Sequence, residues 1–482
     1  MKTHLLLLLV TLLGRGTLLA QTSTPAAPYS AHEWGTFTSV QGTDGIPIAW
    51  NPFVKSDLPE FVYTRRHPFS DATLAPRRRA FELMELKGAG AWLQRMETPV
   101  IYFHSEQPVT VRVRVELPQG LITEWYPRAG RFGPVFGVDP VMPDSGESFL
   151  EWPAVSVYPV GPRSMVGIAD RARGRGESHY YAARSAHANE VQIASDSNEP
   201  TELESFLFYR GAGNFNTPLR VSMPSSQLLL LENVGRQPLD GLRILEGRGS
   251  QGRQVAIPAL APGESRRVAW QGATDGAART EVTRDLAAGL QRDLTKAGLN
   301  DDEAAAMVDT WRESWFEEDG VRVFYLLPRE WTDTTLPLHL NPPPRELVRV
   351  LVGRAEVIPA SAEQVARASF ATYRRTRDSK DLVKGFGTVS PRFRESLLTR
   401  VGAIEYRWQI TAEAFSCTLP NPTEANGNRL REDLEAARAA LAGVDARANS
   451  KTVSISNAAR PIPSDNALGI LQPVAVPTRS PE

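Results

Sequence analysis

The sequence predicts a mainly β protein of the sandwich type, built in several parts, with an inserted helical hairpin and a mostly helical C-terminal region. Three observations support this fold class. Short runs of β-branched and aromatic residues, separated by Gly, Pro and Asp, fill residues 31–272. A four-residue apolar period replaces them over residues 273–319, and helical patterns dominate residues 361–445. The 482-residue length corresponds to about three domains.

The first β-rich part, residues 31–225, contains one stretch of clear alternation. "PVTVRVRVELP" places its valines on one face of a strand, namely Val109, Val111, Val113 and Val115. The runs "TPVIYFHSE", "FLEWPAVSVYPV", "SHYYAARSA" and "ESFLFYRGAG" have the β-branched and aromatic content of further strands. We therefore predict a β-rich domain over residues 31–225, with "SHYYAAR" as one of its strands.

The next stretch, Ser226 to Trp270, has the pattern of a compact sheet unit. Within it, "PALAPGESRRV" resembles the paired strands of bacterial immunoglobulin-like modules, in which a Pro-Gly turn joins two strands. The resemblance implies an immunoglobulin-like β unit over residues 226–272. Its "GRGSQG" is a glycine-rich match to dinucleotide-binding motifs, but a strand follows it instead of the required helix. These glycines therefore belong to a hairpin loop.

A helical hairpin is predicted over residues 273–319. Apolar residues recur every fourth position in Val282, Leu286, Leu290 and Leu294. Gly298 is placed to end this helix, and Asn300 with Glu303 forms a capping box for the next one. Trp311 and Trp315 are four residues apart, so both should project from one face of the second helix. We expect this face to pack on the β-domain, around Trp270 and Phe324.

The remaining segments follow simpler patterns. Residues 320–360 return to strands, and residues 361–445 are mostly helical. Residues 446–482 contain few aromatic residues and no periodicity, which is typical of a disordered tail.

The N-terminus has the features of an export signal. Residues 1–20 combine an early lysine with an apolar run from Leu5 to Leu13, too short to span the ~30 Å hydrocarbon layer. Cleavage after Ala20 would leave a Pro/Ser/Thr linker, residues 21–30, before the folded part. No later stretch is long and apolar enough to cross a membrane. We therefore predict a periplasmic or secreted protein.

The charge and the cysteine content argue against a nucleic-acid-binding protein and against a disulfide-stabilised one. The formal net charge of -1 provides no surplus of cations to attract nucleic acid. Cys417 is the single cysteine, so the chain cannot form an internal disulfide and its stability must come from its core. We interpret Cys417 as a buried, inert thiol.

Common catalytic and metal-binding motifs are missing from the sequence. It contains no G-x-S-x-G, P-loop, H-E-x-x-H, S-x-x-K or C-x-x-C pattern. The histidines that follow the signal peptide are scattered and show no H-x-H or H-x-x-x-H spacing: His32, His67, His104, His179, His187 and His339. The spacing therefore predicts no metal site and no cofactor.

The motif "AHEWGTFTSV" places His32 beside Glu33. On a strand these two side chains point to opposite faces, so one metal ion could not readily bind both. His32 shares its face with Trp34, and Glu33 shares its face with Phe37. Either residue could still act alone, as a single ligand or base that meets partners from other strands.

Several polar residues lie in the most apolar predicted strands. Burying such groups without partners costs on the order of 2–7 kcal/mol each for neutral groups, so they should contact one another or a ligand. The candidate catalytic residues are His32, Glu33, His179 and Arg210. The candidate binding residues are Trp34, Tyr180 and Arg184.

The motifs "HEWGTFTSV", "ETPVIYF", "LITEWYP", "HYYAAR", "FLFYRG" and "RVFYLLP" with "VRVLVGRAEV" together resemble a group of exported bacterial proteins of unknown function. The resemblance runs from about Ala31 to Val357. It implies bacterial export and one extended β-rich unit, and it assigns no catalytic role to any residue.

Two functional hypotheses follow. The first is a β-sandwich protein that binds a small ligand, a glycan, a peptide or a partner protein, because the strands and the ten tryptophans suit such contacts and no nucleophile motif is present. The second is a hydrolase-type enzyme, with or without metal assistance, whose site is built from His32, Glu33, His179 and Arg210.

Overall fold

The computed structural model describes residues 27–50, 58–65, 92–134, 148–159, 178–194, 201–270, 276–387, 389–415 and 429–441. The predicted signal peptide, the predicted tail and Cys417 lie outside these ranges. The first strand begins at Ala27, so the last residues of the predicted linker belong to the sheet.

The strands are numbered along the chain. They are β1 (Ala27–Gln41), β2 (Tyr63–Thr64), β3 (Gln94–Ser105), β4 (Val109–Glu116), β5 (Gly120–Tyr126), β6 (Arg131–Gly133), β7 (Phe149–Tyr158), β8 (Glu190–Ile193), β9 (Glu202–Glu204), β10 (Leu207–Gly213), β11 (Leu219–Ser225), β12 (Leu228–Asn233), β13 (Asp240–Arg248), β14 (Gln251–Ile257), β15 (Ser265–Ala269), β16 (Ala277–Ala278), β17 (Gly320–Leu326), β18 (Leu338–Asn341) and β19 (Pro344–Val357).

The helices are numbered in the same way. They are α1 (Arg279–Lys296), α2 (Asp301–Thr310), α3 (Arg329–Thr335), α4 (Ala360–Thr376), α5 (Ser379–Phe386), α6 (Pro391–Phe415) and α7 (429–441). A 3-10 helix covers His179–Ser185, and a π-helical turn covers Glu313–Glu317.

In the described ranges the strands form three sheets. The largest has the order β16-β14-β13-β17-β19-β1-β3-β10-β5-β2, the second β18-β4-β7-β8-β9 with β6 beside β7, and the third β11-β12-β15. β1 lies inside the large sheet, parallel to β19 and antiparallel to β3. The predicted mainly β, multi-part fold class is confirmed.

The large sheet separates two apolar cores. On one face, Phe37 and Ile101 pack with Val113 and Trp152 of the six-stranded sheet and Leu231 of the three-stranded sheet. We call this side the sandwich face. On the other face, which we call the helical face, the hairpin covers the sheet. Because successive residues of a strand alternate between faces, neighbouring residues of β1 enter different cores.

The helical hairpin forms as predicted. α1 ends at Lys296, and Gly298 follows with a φ of 115°, a conformation that side chains rarely adopt. The turn lies against Val348 of β19. Asn300 donates its backbone N–H to the Glu303 carboxylate across 2.9 Å, which satisfies a free N–H at the start of α2.

The hairpin packs on the helical face through two tryptophans. Trp311 and Trp315 are buried, with ring centroids 6.5 Å apart and an angle of 20° between the rings. Trp315 lies 5.0 Å from the Phe324 ring. α2 ends at Thr310, so Trp315 belongs to the π-helical turn and not to the α-helix. Trp270 packs in the sandwich core, so its predicted place beneath the hairpin was wrong.

Two further local predictions were wrong. The "SHYYAAR" run forms the 3-10 helix and not a strand, because short aromatic runs do not distinguish these conformations. The stretch from Ser226 to Trp270 does not form a sheet of its own. Its β12 and β15 belong to the three-stranded sheet, whereas β13 and β14 join the large sheet. Alternation identifies a two-faced strand, but it does not identify the strand's neighbour.

The C-terminal helices α4 to α7 pack around a separate apolar cluster that includes Phe370, Phe386 and Leu397. Val40 and Trp50 join this cluster from the first β segment, so the helices are attached to the end of β1. The domain boundaries themselves stay predictions. In the described part of the chain, the helices lack the combination of length and apolar character that crossing a bilayer requires.

Candidate metal centre

Three side chains from three elements meet at one end of the helical face. His32 lies on β1, His104 on β3 and Glu303 on α2. The antiparallel register pairs Ser30 with His104 and His32 with Tyr102, so both histidines lie on the same face as diagonal neighbours. The α1–α2 turn rests on Val348, the β19 partner of His32. This contact brings the first turn of α2 over the two imidazoles.

The three side chains are close enough to share one ion. His32 Nδ1 lies 2.8 Å from Glu303 Oε2, and His104 Nε2 lies 2.8 Å from Glu303 Oε1. One ligand atom from each residue falls within 4.8 Å of the others. The imidazole centroids are 4.8 Å apart. Two imidazole nitrogens and a carboxylate oxygen are the donor set of many catalytic zinc sites.

Burial and charge distinguish this carboxylate from a surface group. The Glu303 side chain is 0% exposed and that of His104 is 23% exposed. Burial alone would raise the pKa of Glu303, but hydrogen bonds from His104 and His32 outweigh it and lower this pKa to about 2. The site therefore holds a negative charge between two imidazoles, and the His104 side chain is partly exposed to solvent.

The spacing fits a transition-metal ion after a small expansion. Tetrahedral zinc holds nitrogen and oxygen ligands at about 2.0–2.2 Å, which separates neighbouring ligand atoms by roughly 3.3 Å. The two 2.8 Å contacts would therefore open by about 0.5 Å on metal binding. The Asn300 N–H already holds one carboxylate oxygen of Glu303, as outer-shell donors do around metal ligands.

Tyr102 connects this site to the 3-10 helix. It lies two residues before His104 on the same strand face, and its hydroxyl donates to the Ala183 carbonyl across 2.7 Å. Burial and the nearby Glu303 charge raise the pKa of Tyr102 well above its ordinary value. The Tyr102 hydroxyl therefore stays protonated and fixes the 3-10 helix to β3.

Glu33 points to the sandwich face, away from His32. Its carboxylate accepts from Arg349 Nε across 2.5 Å and also from the Tyr209 hydroxyl. Arg349 additionally contacts Asp333 at 2.8 Å and the Leu336 carbonyl at 2.7 Å. Burial would lower the pKa of Arg349, but Glu33 raises it above its ordinary value. Glu33 is thus one member of a compensated, buried ion pair.

The other predicted catalytic residues lie elsewhere. Arg210 lies 3.6 Å from the Glu124 carboxylate. The His179 ring lies 4.9 Å from Trp311, with its Nε2 3.4 Å from the Thr98 hydroxyl. Because His32 and Glu33 occupy opposite faces of β1, the structure does not bring the four predicted residues together. The expectation that these polar residues find partners is confirmed.

The predicted binding residues lie in two different environments. Trp34 is fully buried beside Tyr102, so it forms part of the core. Tyr180 and Arg184 both contact Glu204, the hydroxyl of Tyr180 at 2.9 Å and Arg184 Nη2 at 2.6 Å. Partly exposed aromatic rings surround this pair, with Phe61 as their centre.

The three-residue cluster is a candidate metal site that the motif search, which predicted none, did not find. The sequence search used spacing along the chain, whereas these ligands are 72 and 199 residues apart and meet only through the sheet register and the hairpin turn. A weak signal existed, since His104 follows the apolar run "PVIYF" and Glu303 is fixed by its capping box. Nothing in the sequence showed that these three positions are neighbours.

Comparisons with known proteins add little. No protein-family model matches the chain, and no curated protein sequence matches it. Among solved structures, the chain is similar to a yeast delta-COP-I mu-homology domain complexed with a Dsl1 WxWxV peptide. The likeness covers 70% of this chain and 98% of that one, at 7% identity and a TM-score of 0.23. A likeness this distant supports no conclusion about function.

Proposed function

We propose that this chain is a metal-dependent protein with hydrolase-type activity, and that His32, His104 and Glu303 hold its metal ion. The observation that carries the proposal is the convergence of two imidazole nitrogens and one buried carboxylate oxygen within 4.8 Å. A buried carboxylate beside two titratable imidazoles can exchange the imidazole protons for a divalent cation. This site replaces the four-residue site expected from the sequence.

Three protein ligands leave a coordination position open, as in catalytic zinc sites. A bound zinc ion lowers the pKa of a coordinated water to about 7 and polarises a substrate carbonyl or phosphoryl oxygen. His104 lies at the solvent side of the cluster, with its side chain 23% exposed. Water and substrate would reach an ion held by these three residues from the side of His104.

The donor set also suits another metal. Two histidines and one carboxylate with open positions bind Fe(II) in non-haem oxygenases. We favour zinc because the same donor set serves hydrolytic zinc enzymes and needs no redox partner. Metal loading under matched conditions with Zn²⁺, Fe²⁺ and Mn²⁺ decides this choice.

Metal analysis of the purified, chelator-treated and reloaded protein tests the proposal. We expect one equivalent of zinc in the wild type and less than a tenth of that in Glu303→Gln. Glutamine keeps an oxygen for the Asn300 N–H, so this variant removes the ligand charge while it leaves the cap of α2 intact. His339→Ala changes an exposed histidine on β18 and should retain full zinc. Wild-type protein that binds no metal ion would contradict the proposal.

A second candidate function is glycan or peptide binding, favoured by the partly exposed aromatic cluster. The Phe61 ring lies 4.7 Å from Tyr126 and 6.5 Å from Tyr181, and Arg184 lies 5.0 Å from the Tyr181 ring. Aromatic faces of this kind suit sugar rings and extended peptides. Glycan and peptide arrays probed with the wild type and Phe61→Ala test it, and wild-type silence on both would contradict it.

The proposal also includes export of the protein from the cytoplasm. The features of residues 1–20 and the resemblance to exported bacterial proteins support a periplasmic or secreted location. Expression in a bacterial host, followed by N-terminal sequencing of the periplasmic fraction, should give Gln21 as the first residue. Uncleaved protein confined to the cytoplasm would contradict this assignment.

A further inference from the structure

A histidine–aspartate pair borders the metal centre. His187 Nδ1 lies 2.7 Å from Asp302 Oδ2, and the backbone N–H of His187 donates to the same oxygen across 2.6 Å. Asp302 is the chain neighbour of Glu303, and its other oxygen accepts the Glu303 N–H across 3.0 Å. Asp302 therefore joins His187 to the residue that carries the metal ligand.

The His187 segment is also attached to the strand that carries His104. Asn189 donates its backbone N–H to the Phe103 carbonyl across 2.9 Å. Its side chain exchanges two hydrogen bonds with the Ser105 backbone, at 2.7 and 3.0 Å. Phe103 and Ser105 flank His104, so the segment is fixed to the chain neighbours of two ligands. These contacts fix the His187 segment beside the chain neighbours of Glu303 and His104.

The pair leaves one imidazole nitrogen available. An ionised carboxylate only accepts hydrogen bonds, so the contact with Asp302 places a proton on His187 Nδ1. In the neutral form of the imidazole, Nε2 is then the acceptor. The His187 side chain is 93% exposed, so a substrate can reach Nε2. An exposed side chain held in one orientation loses conformational freedom, and the two hydrogen bonds to Asp302 offset that cost.

We propose that His187 is the proton-transfer residue of the metal centre, with Asp302 as its positioning residue. This inference rests on the hydrolase-type function proposed above. As the water attacks an ester or phosphoester, its proton passes to His187 Nε2. As the bond to the leaving group breaks, His187 returns that proton to the leaving oxygen. Water is consumed, an acid and an alcohol are released, and His187 ends as it began.

The test uses zinc-loaded full-length protein and two ester substrates, p-nitrophenyl acetate and phenyl acetate. We expect His187→Ala to keep one equivalent of zinc and to lose about 10²-fold in kcat/KM on phenyl acetate. The loss should be smaller on p-nitrophenyl acetate, because its better leaving group needs less help from a proton donor. His339→Ala, which changes an exposed histidine on a different sheet, is the matched control and should equal the wild type.

An NMR measurement distinguishes a positioning role of Asp302 towards His187 from a purely structural role. In long-range ¹H–¹⁵N spectra, wild-type His187 should show the proton on Nδ1. Asp302→Asn should shift part of the population to the other tautomer and lower kcat, with zinc content unchanged.

Equal rates in wild type and His187→Ala on both esters, with zinc bound in both, would overturn the role of His187 alone. A wild type that binds zinc but hydrolyses neither these esters nor bis(p-nitrophenyl) phosphate would overturn the hydrolase-type function together with it. Zinc loss in His187→Ala would make His187 a metal-holding residue and would overturn the proton-transfer assignment.

Discussion

Glu33 and Glu303 are both buried carboxylates, and they lie on opposite faces of the same sheet. On the sandwich face, Glu33 is matched by Arg349, whose charge is permanent, and by the Tyr209 hydroxyl. On the helical face, Glu303 is matched by His32 and His104, whose charge depends on protonation. An arginine partner neutralises a carboxylate permanently, whereas histidine partners can give up their protons to a metal ion.

The comparison teaches that the kind of partner, more than burial, distinguishes a carboxylate with a permanent counter-charge from one that is free to bind a metal ion. The sequence placed His32 and Glu33 side by side as equal candidates. One residue along the strand is enough to move a side chain from the Glu33–Arg349 ion pair to the cluster of two histidines and Glu303. The predictions below test each side of this difference.

Removing the positive charge of Arg349 should have the largest effect on stability. Arg349→Met leaves Glu33 buried without its partner and should lower the free energy of unfolding by on the order of 3–5 kcal/mol. Urea melts of the metal-free protein measure this loss. Glu33→Gln combined with Arg349→Met should recover part of it, and Arg345→Met on exposed β19 surface should change stability by less than about 0.5 kcal/mol. A small loss in the single Arg349 variant would show that Glu33 is not buried as an ion.

Trp315 tests whether the helical face depends on its hairpin. Trp315→Ala should cost on the order of 3–5 kcal/mol, because the ring is 0% exposed and packs against Phe324. Its indole N–H has no hydrogen-bond acceptor among the described residues, so the loss comes from packing alone. Denaturant melts measure it, with Tyr158→Ala at a partly exposed site as the control. A loss below about 1 kcal/mol with intact helices would mean that Trp315 is exposed.

Acid should destabilise the helical face through Glu303. The carboxyl has a folded pKa of about 2, below the unfolded value of about 4.3. Its contribution, at most about 3 kcal/mol, is therefore complete above pH ~4.3 and is lost as the pH falls towards 2. Urea melts of metal-free wild type and Glu303→Gln between these pH values should converge as the pH falls. Curves that stay parallel would contradict the low pKa.

Metal should stabilise only the helical-face cluster. Zinc at one hundred times its dissociation constant should raise the free energy of unfolding by about 2.7 kcal/mol, and a chelator should reverse the gain. Glu303→Gln should show no gain, whereas Glu33→Gln, on the other face of β1, should gain as much as the wild type. Equal gains in all three proteins would place the bound zinc elsewhere.

The local structure of this protein was largely predictable from its residues. Alternating valines predicted β4, and the four-residue apolar period predicted α1. Gly298, Asn300 and Glu303 predicted the turn into α2. The opposite orientation of His32 and Glu33 also follows from strand geometry alone. These features depend on contacts between residues close in the chain, so the sequence by itself determined them.

The tertiary structure decided which of these elements are neighbours. The register of β1 with β3 brings His104 beside His32, and the turn against Val348 brings Glu303 above both. Tertiary pairing likewise places β12 and β15 in the three-stranded sheet and β13 and β14 in the large sheet. Pairing between distant strands depends on how whole faces fill a shared core, and that information is spread over many residues. The candidate metal centre at positions 32, 104 and 303 could therefore be recognised only in the folded structure.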